Sequence, residues 1–121
     1  MNREHGSAVV EFALVLPLVL VVLVAAVEVA VVARAQLEVC QAAREGAREA
    51  AASPDPELAV EAVRRFLGDA AGRQARISVK REHRVGGVAE VLVTVPYRVA
   101  APLFGGITVY LEGRCVMRVE R

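Results

Sequence analysis

The feature that most constrains this chain is an uncharged apolar run at residues 12–27, which contains only Phe, Ala, Leu, Val and Pro17. Glu11 and Glu28 bound the run on its two sides. As an α-helix with a rise of about 1.5 Å per residue, the stretch between the two acids covers about 25 Å. A bilayer's hydrocarbon core is about 30 Å thick, so each carboxylate would lie near an interface. The pattern predicts a transmembrane helix at residues 7–33.

Composition excludes several classes of function. The net charge is +1 and no basic tract occurs, so the clustered cations that bind nucleic acid are missing. Two cysteines, Cys40 and Cys115, and two histidines, His5 and His83, lack the short-range ligand pairs of zinc sites. The sequence also has no Ser/His/Asp or Cys/His set and no phosphate-binding glycine loop. We therefore expect no enzyme activity, no cofactor or metal, and no nucleic-acid or small-molecule partner.

The helical pattern continues beyond the apolar run as a stalk at residues 36–52, which is rich in Ala, Glu, Arg and Leu. Ala42, Gly46 and Ala50 recur there at four-residue spacing, which permits close helix packing against this chain's own sheet or another subunit. Within the apolar run, Pro17 removes one backbone hydrogen bond. That proline either allows local unwinding during assembly or is a tolerated transmembrane proline.

A break at residues 53–56 separates the stalk from a second amphipathic helix. Asp55 is a good N-cap and Pro56 suits the first helical position, so this helix is predicted from Pro56 to about Ala71, with Gly72 just past its end. The predicted apolar stripe of this helix is Ala59, Val63, Phe66 and Ala70.

From Ala75 onwards the apolar period changes from about 3.6 to 2, which predicts strands. Gly86-Gly87 marks a tight hairpin, and residues 100–106 are expected to form a longer turn. These elements predict an α+β fold in which a long N-terminal helix (transmembrane plus stalk) and a second amphipathic helix cover the apolar face of a three-stranded antiparallel sheet.

A processing motif precedes the apolar run. A short polar leader, residues 1–6, ends at Gly6 and is followed by Ser7, with Glu11 and Phe12 at the head of the helix. This arrangement resembles the processing site of type IV prepilins. The longer sequence GSAVVEFALVLP at residues 6–17 is similar to the start of TadE-like proteins of Tad (Flp-type) pilus assembly systems. Val27-Glu28 and AAREGAR at residues 42–48 fit the same family.

The resemblance implies a pilin-like minor pilin or pseudopilin that a prepilin peptidase cuts after Gly6. It divides the chain into a leader (1–6), a transmembrane helix (7–33) and an extracytoplasmic α+β domain (34–121). After the cut, the new amine of Ser7 would pair with Glu11, on this or a neighbouring subunit, and set the axial register. Implied partners are the membrane lipid bilayer, the prepilin peptidase, other Tad pilus subunits and inner-membrane assembly proteins. The resemblance implies a single-pass protein of the cell membrane.

Two other interpretations stay open. Residues 12–27 also suit a signal-peptide core with a cut after Ala35, which would release a secreted domain, or an unprocessed signal anchor. The charges oppose the orientation that processing requires. Arg34, Arg44 and Arg48 follow the span, while the leader has Arg3, the terminal amine and Glu4. We place the leader inside because the processing motif makes sense only there.

The two cysteines are candidates for a disulfide. Cys115 falls on the apolar face of the last predicted strand, and Cys40 lies one helical turn from Ala43 on the stalk. Both positions indicate the same helix–sheet interface, and an extracytoplasmic domain permits oxidation. The alternative is that both are buried, reduced cysteines that act as small hydrophobic residues.

Overall fold

The computed structural model describes residues 2–99 and 106–120, with only the backbone of Asn2. Within these residues the chain forms three helices and three strands. Their bounds are α1 (Asn2–Ala52), α2 (Pro56–Leu67), α3 (Asp69–Gln74), β1 (Arg76–Arg81), β2 (Val88–Val99) and β3 (Ile107–Arg118). The chain divides into two compact units, Met1–Val32 and Ala33–Arg121.

The first unit consists of the N-terminal part of α1. Its described side chains are exposed up to Val27, and Glu28 is half-buried. Among the described residues, α1 is the one helix that is long and apolar enough to cross a membrane. This agrees with the single membrane-compatible helix that the sequence predicts.

The second unit contains an antiparallel sheet with the strand order β1-β2-β3. Burial alternates along the central strand β2, as the period of two predicts. Its buried residues are Ala89, Val91, Val93 and Val95. The α+β fold with a three-stranded antiparallel sheet is therefore confirmed within the part of the chain that the structure describes.

Small side chains from α1 and α2 cover the buried face of the sheet. The buried residues of these two helices are Val39, Ala42, Ala43, Gly46, Ala47, Ala50, Ala51, Ala59 and Val63. Because most of them are alanine or glycine, the helix backbones can approach the sheet closely. At the far end of the stalk, the Glu120 amide donates to the Ala51 carbonyl at 3.1 Å, which ties the C-terminal segment to α1.

The predicted extent of the second helix is wrong at its C-terminal end. The N-cap is as expected, since Asp55 accepts a hydrogen bond from the Glu57 amide at 3.0 Å. The helix ends at Leu67, however, because Gly68 takes φ 83° and ψ 175°, a backbone conformation that is essentially restricted to glycine. Gly72, expected just past the end, instead lies inside the separate helix α3.

The predicted apolar stripe is also only half right. Ala59 and Val63 are buried, whereas Phe66 and Ala70 are exposed. A stripe along one helix cannot continue to Ala70, because the chain changes direction at Gly68 before α3 begins.

The first hairpin forms around Gly86 as expected, with φ 83° at that residue, but its loop is longer than a tight turn. β1 ends at Arg81 and β2 begins at Val88. The Gly86 amide donates to the Val119 carbonyl, and the Val119 amide donates to the Gly87 carbonyl. These bonds join the loop to the chain after β3. The turn expected at residues 100–106 lies outside the described residues, except for Gly106.

Candidate functional site at the start of the long helix

Gly6 and Ser7 lie in the exposed first turns of α1. A Cβ atom added at Gly6 would meet no heavy atom within 4 Å, so packing in this chain does not require glycine there. Glycine inside a helix costs roughly 0.5–1 kcal/mol relative to alanine. It therefore lowers the cost of unwinding this turn into the extended form in which a protease reads a backbone.

Glu11 follows Ser7 by four residues in the same helix, so the two lie one turn apart on one face. The axial separation is about 6 Å at about 1.5 Å per residue. The Glu11 side chain is exposed and makes no ion pair with any other residue that the structure describes. Phe12 beside it is 67% exposed. The pairing of Glu11 with an amine at Ser7 stays a prediction.

Pro17 lies inside α1, which continues on both sides of it. The proline has no amide hydrogen, so the Ala13 carbonyl lacks its usual helical partner. This leaves one weak point in the apolar run, six residues after Glu11.

The small residues of the stalk pack against other elements of the second unit, to which the stalk also belongs. A Cβ atom at Gly46 would lie 3.2 Å from Val91 Cγ1 of β2 and in steric overlap with Val63 Cγ2 of α2. Ala42 and Ala50, one turn to either side, are buried as well. The sequence left open whether these small residues pack against this chain's own sheet or against another subunit. At Gly46 they pack against β2 and α2 of the same chain.

Cys40 and Cys115 are both half-buried free thiols in the structure. Gln36 Nε2 lies 3.5 Å from Cys40 Sγ and donates to the Glu112 carbonyl at 2.7 Å. Cys115 is on β3, opposite Val91 of β2. The disulfide between the two cysteines stays a prediction.

Sequence reasoning missed the importance of Gly113. A Cβ atom at this β3 position would lie 2.6 Å from the Val39 carbonyl oxygen and 3.0 Å from the Cys40 amide nitrogen. The signal was available, because a glycine inside a strand often marks the close approach of another backbone. Gly113 allows α1 to rest directly on β3.

The described residues offer no arrangement for metal binding. No group of three or more His, Cys, Asp or Glu side chains within 2–99 and 106–120 is placed to hold a metal ion. The candidate site therefore remains the exposed segment from Gly6 to Phe12 at the head of α1.

Comparison with known proteins gives a family match that includes this segment. A family model described as TadE-like protein matches residues 6–48, which is less than half of the chain. The match confirms the resemblance inferred from the motif and extends into the stalk past Gly46, ending at residue 48. No curated protein and no solved structure matches the chain.

Proposed function

Since a TadE-like segment occupies residues 6–48, we propose that this chain is a minor pilin or pseudopilin of a Tad-type (Flp) pilus assembly system. The family match indicates a protein associated with a Tad pilus. One observation carries the finer assignment: Gly6 stands five residues before Glu11, at the head of a helix that is long and apolar enough to cross a membrane.

The proposed role is structural. A prepilin peptidase, which acts at the cytoplasmic face, removes residues 1–6 and leaves Ser7 with a free amine. That amine pairs with Glu11 on this or a neighbouring subunit and sets the axial register of the helices. Other Tad subunits and inner-membrane assembly proteins are the remaining partners of the mature protein.

The orientation follows from processing. The leader must be in the cytoplasm for the peptidase to reach it, which puts the second unit outside the cytoplasm. Arg34 and Arg44 after the span favour the opposite orientation by the positive-inside rule, against Arg3 in the leader. We give the processing motif more weight because Gly6, Ser7 and Glu11 have no common purpose in the inverted protein.

The secreted-domain alternative requires a cut after Ala35. That bond lies in the middle of α1, and Ala35 and Gln36 are half-buried. A signal peptidase would have to unwind the helix next to the residue that bonds β3. The proposed cut at Gly6, by contrast, lies in an exposed and glycine-weakened turn.

The test is the intact mass and N-terminal sequence of the protein extracted from membranes of pilus-competent cells. We expect the mature chain to begin at Ser7, and Gly6→Arg to abolish the cut by placing a bulky cation where the backbone must pass. Asn2→Arg is the matched control, since it adds the same charge to the leader without touching the cut. It should be processed normally.

Each alternative has its own readout in the same measurement. An N-terminus at Gln36 means a secreted domain, and an intact Met1 in piliated cells means an unprocessed anchor. Either result rejects the proposed function.

A further inference from the structure

At one end of the sheet, the face that α1 and α2 cover elsewhere is open. Ile107 and Val109 at the start of β3 are 52% and 36% exposed, and their partners on β2, Val99 and Tyr97, are half-buried. Tyr110, which follows Val109 on β3 and lies on the opposite face of the sheet, is 70% exposed. These five residues are called the tip cluster below. They form an apolar and aromatic surface that nothing in the described part of the second unit covers fully.

The contacts of α1 show at which end of the unit the tip cluster lies. Gln36 Nε2 donates to the Glu112 carbonyl at 2.7 Å, and the Glu120 amide donates to the Ala51 carbonyl at 3.1 Å. Early residues of β3 therefore meet early residues of the stalk, so β3 and the stalk run in the same direction. The start of β3 lies at the end of the unit where α1 enters at Ala33.

We propose that the tip cluster inserts into the interface of the same lipid bilayer that holds α1. The aliphatic side chains of Val99, Ile107 and Val109 would enter the acyl boundary, and the tyrosine hydroxyls would remain at the headgroups, where amphipathic aromatic rings are enriched. Arg98, exposed between Tyr97 and Val99, is placed to meet lipid phosphates. The inference rests on the proposed membrane anchor and adds a second, shallow attachment of the folded domain.

Composition favours lipid as the occupant. Aromatic side chains are only 4% of the chain and tryptophan is absent, yet both tyrosines belong to this cluster. The loop at the opposite end of the sheet has an exposed apolar residue, Val85, but no aromatic residue beside it. The end of the second unit at which α1 enters is thus the end that carries both tyrosines.

The presence of both tyrosines in the tip cluster also provides a fluorescence probe of that cluster. Because the chain has two tyrosines and no tryptophan, its intrinsic emission reports on Tyr97 and Tyr110 alone. The full chain is reconstituted into phospholipid vesicles whose acyl chains are brominated near the headgroup, and into matched vesicles without bromine. We expect most of the tyrosine emission to be lost in the brominated vesicles, and little further quenching by aqueous acrylamide in the plain ones. Tyr97→Phe and Tyr110→Phe separate the two signals.

One variant tests the tip cluster, and a second variant with the same added charge is its control. Ile107→Asp puts a charge in the tip cluster and should reduce the bromine quenching several-fold. Val85→Asp puts the same charge on an exposed apolar position at the other end of the sheet and should leave the quenching unchanged.

The outcomes that overturn the proposal are distinct. Tyrosines quenched by acrylamide and not by bromine lie in water, and tyrosines protected from both are covered by protein, such as a second copy of this chain. Retention of the protein in carbonate-washed vesicles separates this failure from that of the anchor. A retained protein with unquenched tyrosines rejects the tip insertion alone, whereas a protein that washes off rejects the membrane anchor as well.

Discussion

Gly46 shows how one residue can decide the packing of three elements. Its hydrogen is the only substituent that fits where α1 passes over Val63 of α2 and Val91 of β2, both of which are fully buried. Gly113 has the same role on β3, where the Val39 carbonyl occupies the space of a Cβ atom. The four-residue spacing of small residues in the stalk predicted close packing at Gly46. It did not predict which surface would be packed, because that depends on the folded positions of α2 and β2.

Gly46→Ala should destabilise the second unit. Overpacking costs typically about 1–3 kcal/mol, and alanine returns up to about 1 kcal/mol of helix propensity, so we expect a net loss of about 1–2 kcal/mol in urea unfolding of the detergent-solubilised chain. Val63→Ala in the same chain removes the overlapping methyl group. The double variant should be more stable than the sum of the two single effects. Wild-type stability of Gly46→Ala would contradict the packing described here.

Glu11 is the residue whose function the fold of the isolated chain does not explain. Glu11→Ala should still be inserted into the membrane, because loss of a charge makes the helix more apolar, and should still be cut or nearly so. Pilus assembly should fail because the Ser7 amine that the proposed cleavage creates would lack its proposed partner. Piliation is counted by electron microscopy and processing by mass. Glu28→Ala, which removes a charge from the other side of the apolar run, controls for hydrophobicity. Normal piliation with Glu11→Ala would make this carboxylate a mere edge residue.

At the scale of elements, the two ends of α2 differ in how far the sequence predicts them. The N-terminus depends on a local signal, an aspartate followed by proline, and the structure begins the helix there. The C-terminus is less predictable, because Gly68 and Gly72 are both suitable helix ends. In the structure the helix ends at Gly68, and Gly72 then packs against the Arg64 backbone, where a Cβ atom would lie 2.9 Å from the Arg64 carbonyl oxygen.

The sheet was more predictable than the loops that join it. A period of two is a local property, so it gave the faces of β2 and β3 directly. Two hydrogen bonds hold the extra residues of the first hairpin loop: the Gly86 amide donates to the Val119 carbonyl, and the Val119 amide donates to the Gly87 carbonyl. Val119 is more than thirty residues away in sequence, so no pattern within the loop indicates that bond.

Asp55→Ala should shorten or fray α2 at its first turn. The Asp55 carboxylate accepts from the Glu57 amide at 3.0 Å, and loss of an N-cap costs typically about 1 kcal/mol. Asp55→Asn keeps an acceptor at the same place and should lose only a small part of that stability. Urea unfolding of both variants gives the comparison. Equal losses for alanine and asparagine would mean that the charge of Asp55, and not its hydrogen bond, supports the helix.

At the scale of the whole molecule, the two units differ in how much of each the TadE-like family model matches. The TadE-like match covers most of the first unit and the early stalk, and ends at residue 48. The sheet lies outside that match. Its fold is explained by the period of two in the sequence and by the packing of α1 and α2 on its buried face. The compartment of the second unit is therefore best measured by a property of that unit itself, independently of the family match.

The two cysteines provide that measurement. Gly113 contacts the backbone at Cys40, so Cys40 belongs to the contact between stalk and strand. Cys115 follows Gly113 by two residues on the same face of β3. We predict a Cys40–Cys115 disulfide in cells, because the proposed orientation puts the second unit outside the cytoplasm, where it is exposed to oxidation. The closed loop is long, and the bond should add about 2–5 kcal/mol to the free energy of unfolding.

Cells are treated with a thiol-alkylating reagent before extraction, and peptides are then analysed by mass spectrometry without reduction. A peptide that links Cys40 to Cys115 would place the second unit outside the cytoplasm and the stalk on the sheet at once. Cys40→Ser is the control, since its remaining thiol can form no internal bond and should be alkylated or joined to another molecule. Two alkylated thiols in the wild-type chain would reject the disulfide. The half-buried cysteines would then be small hydrophobic residues of the α1–β3 contact.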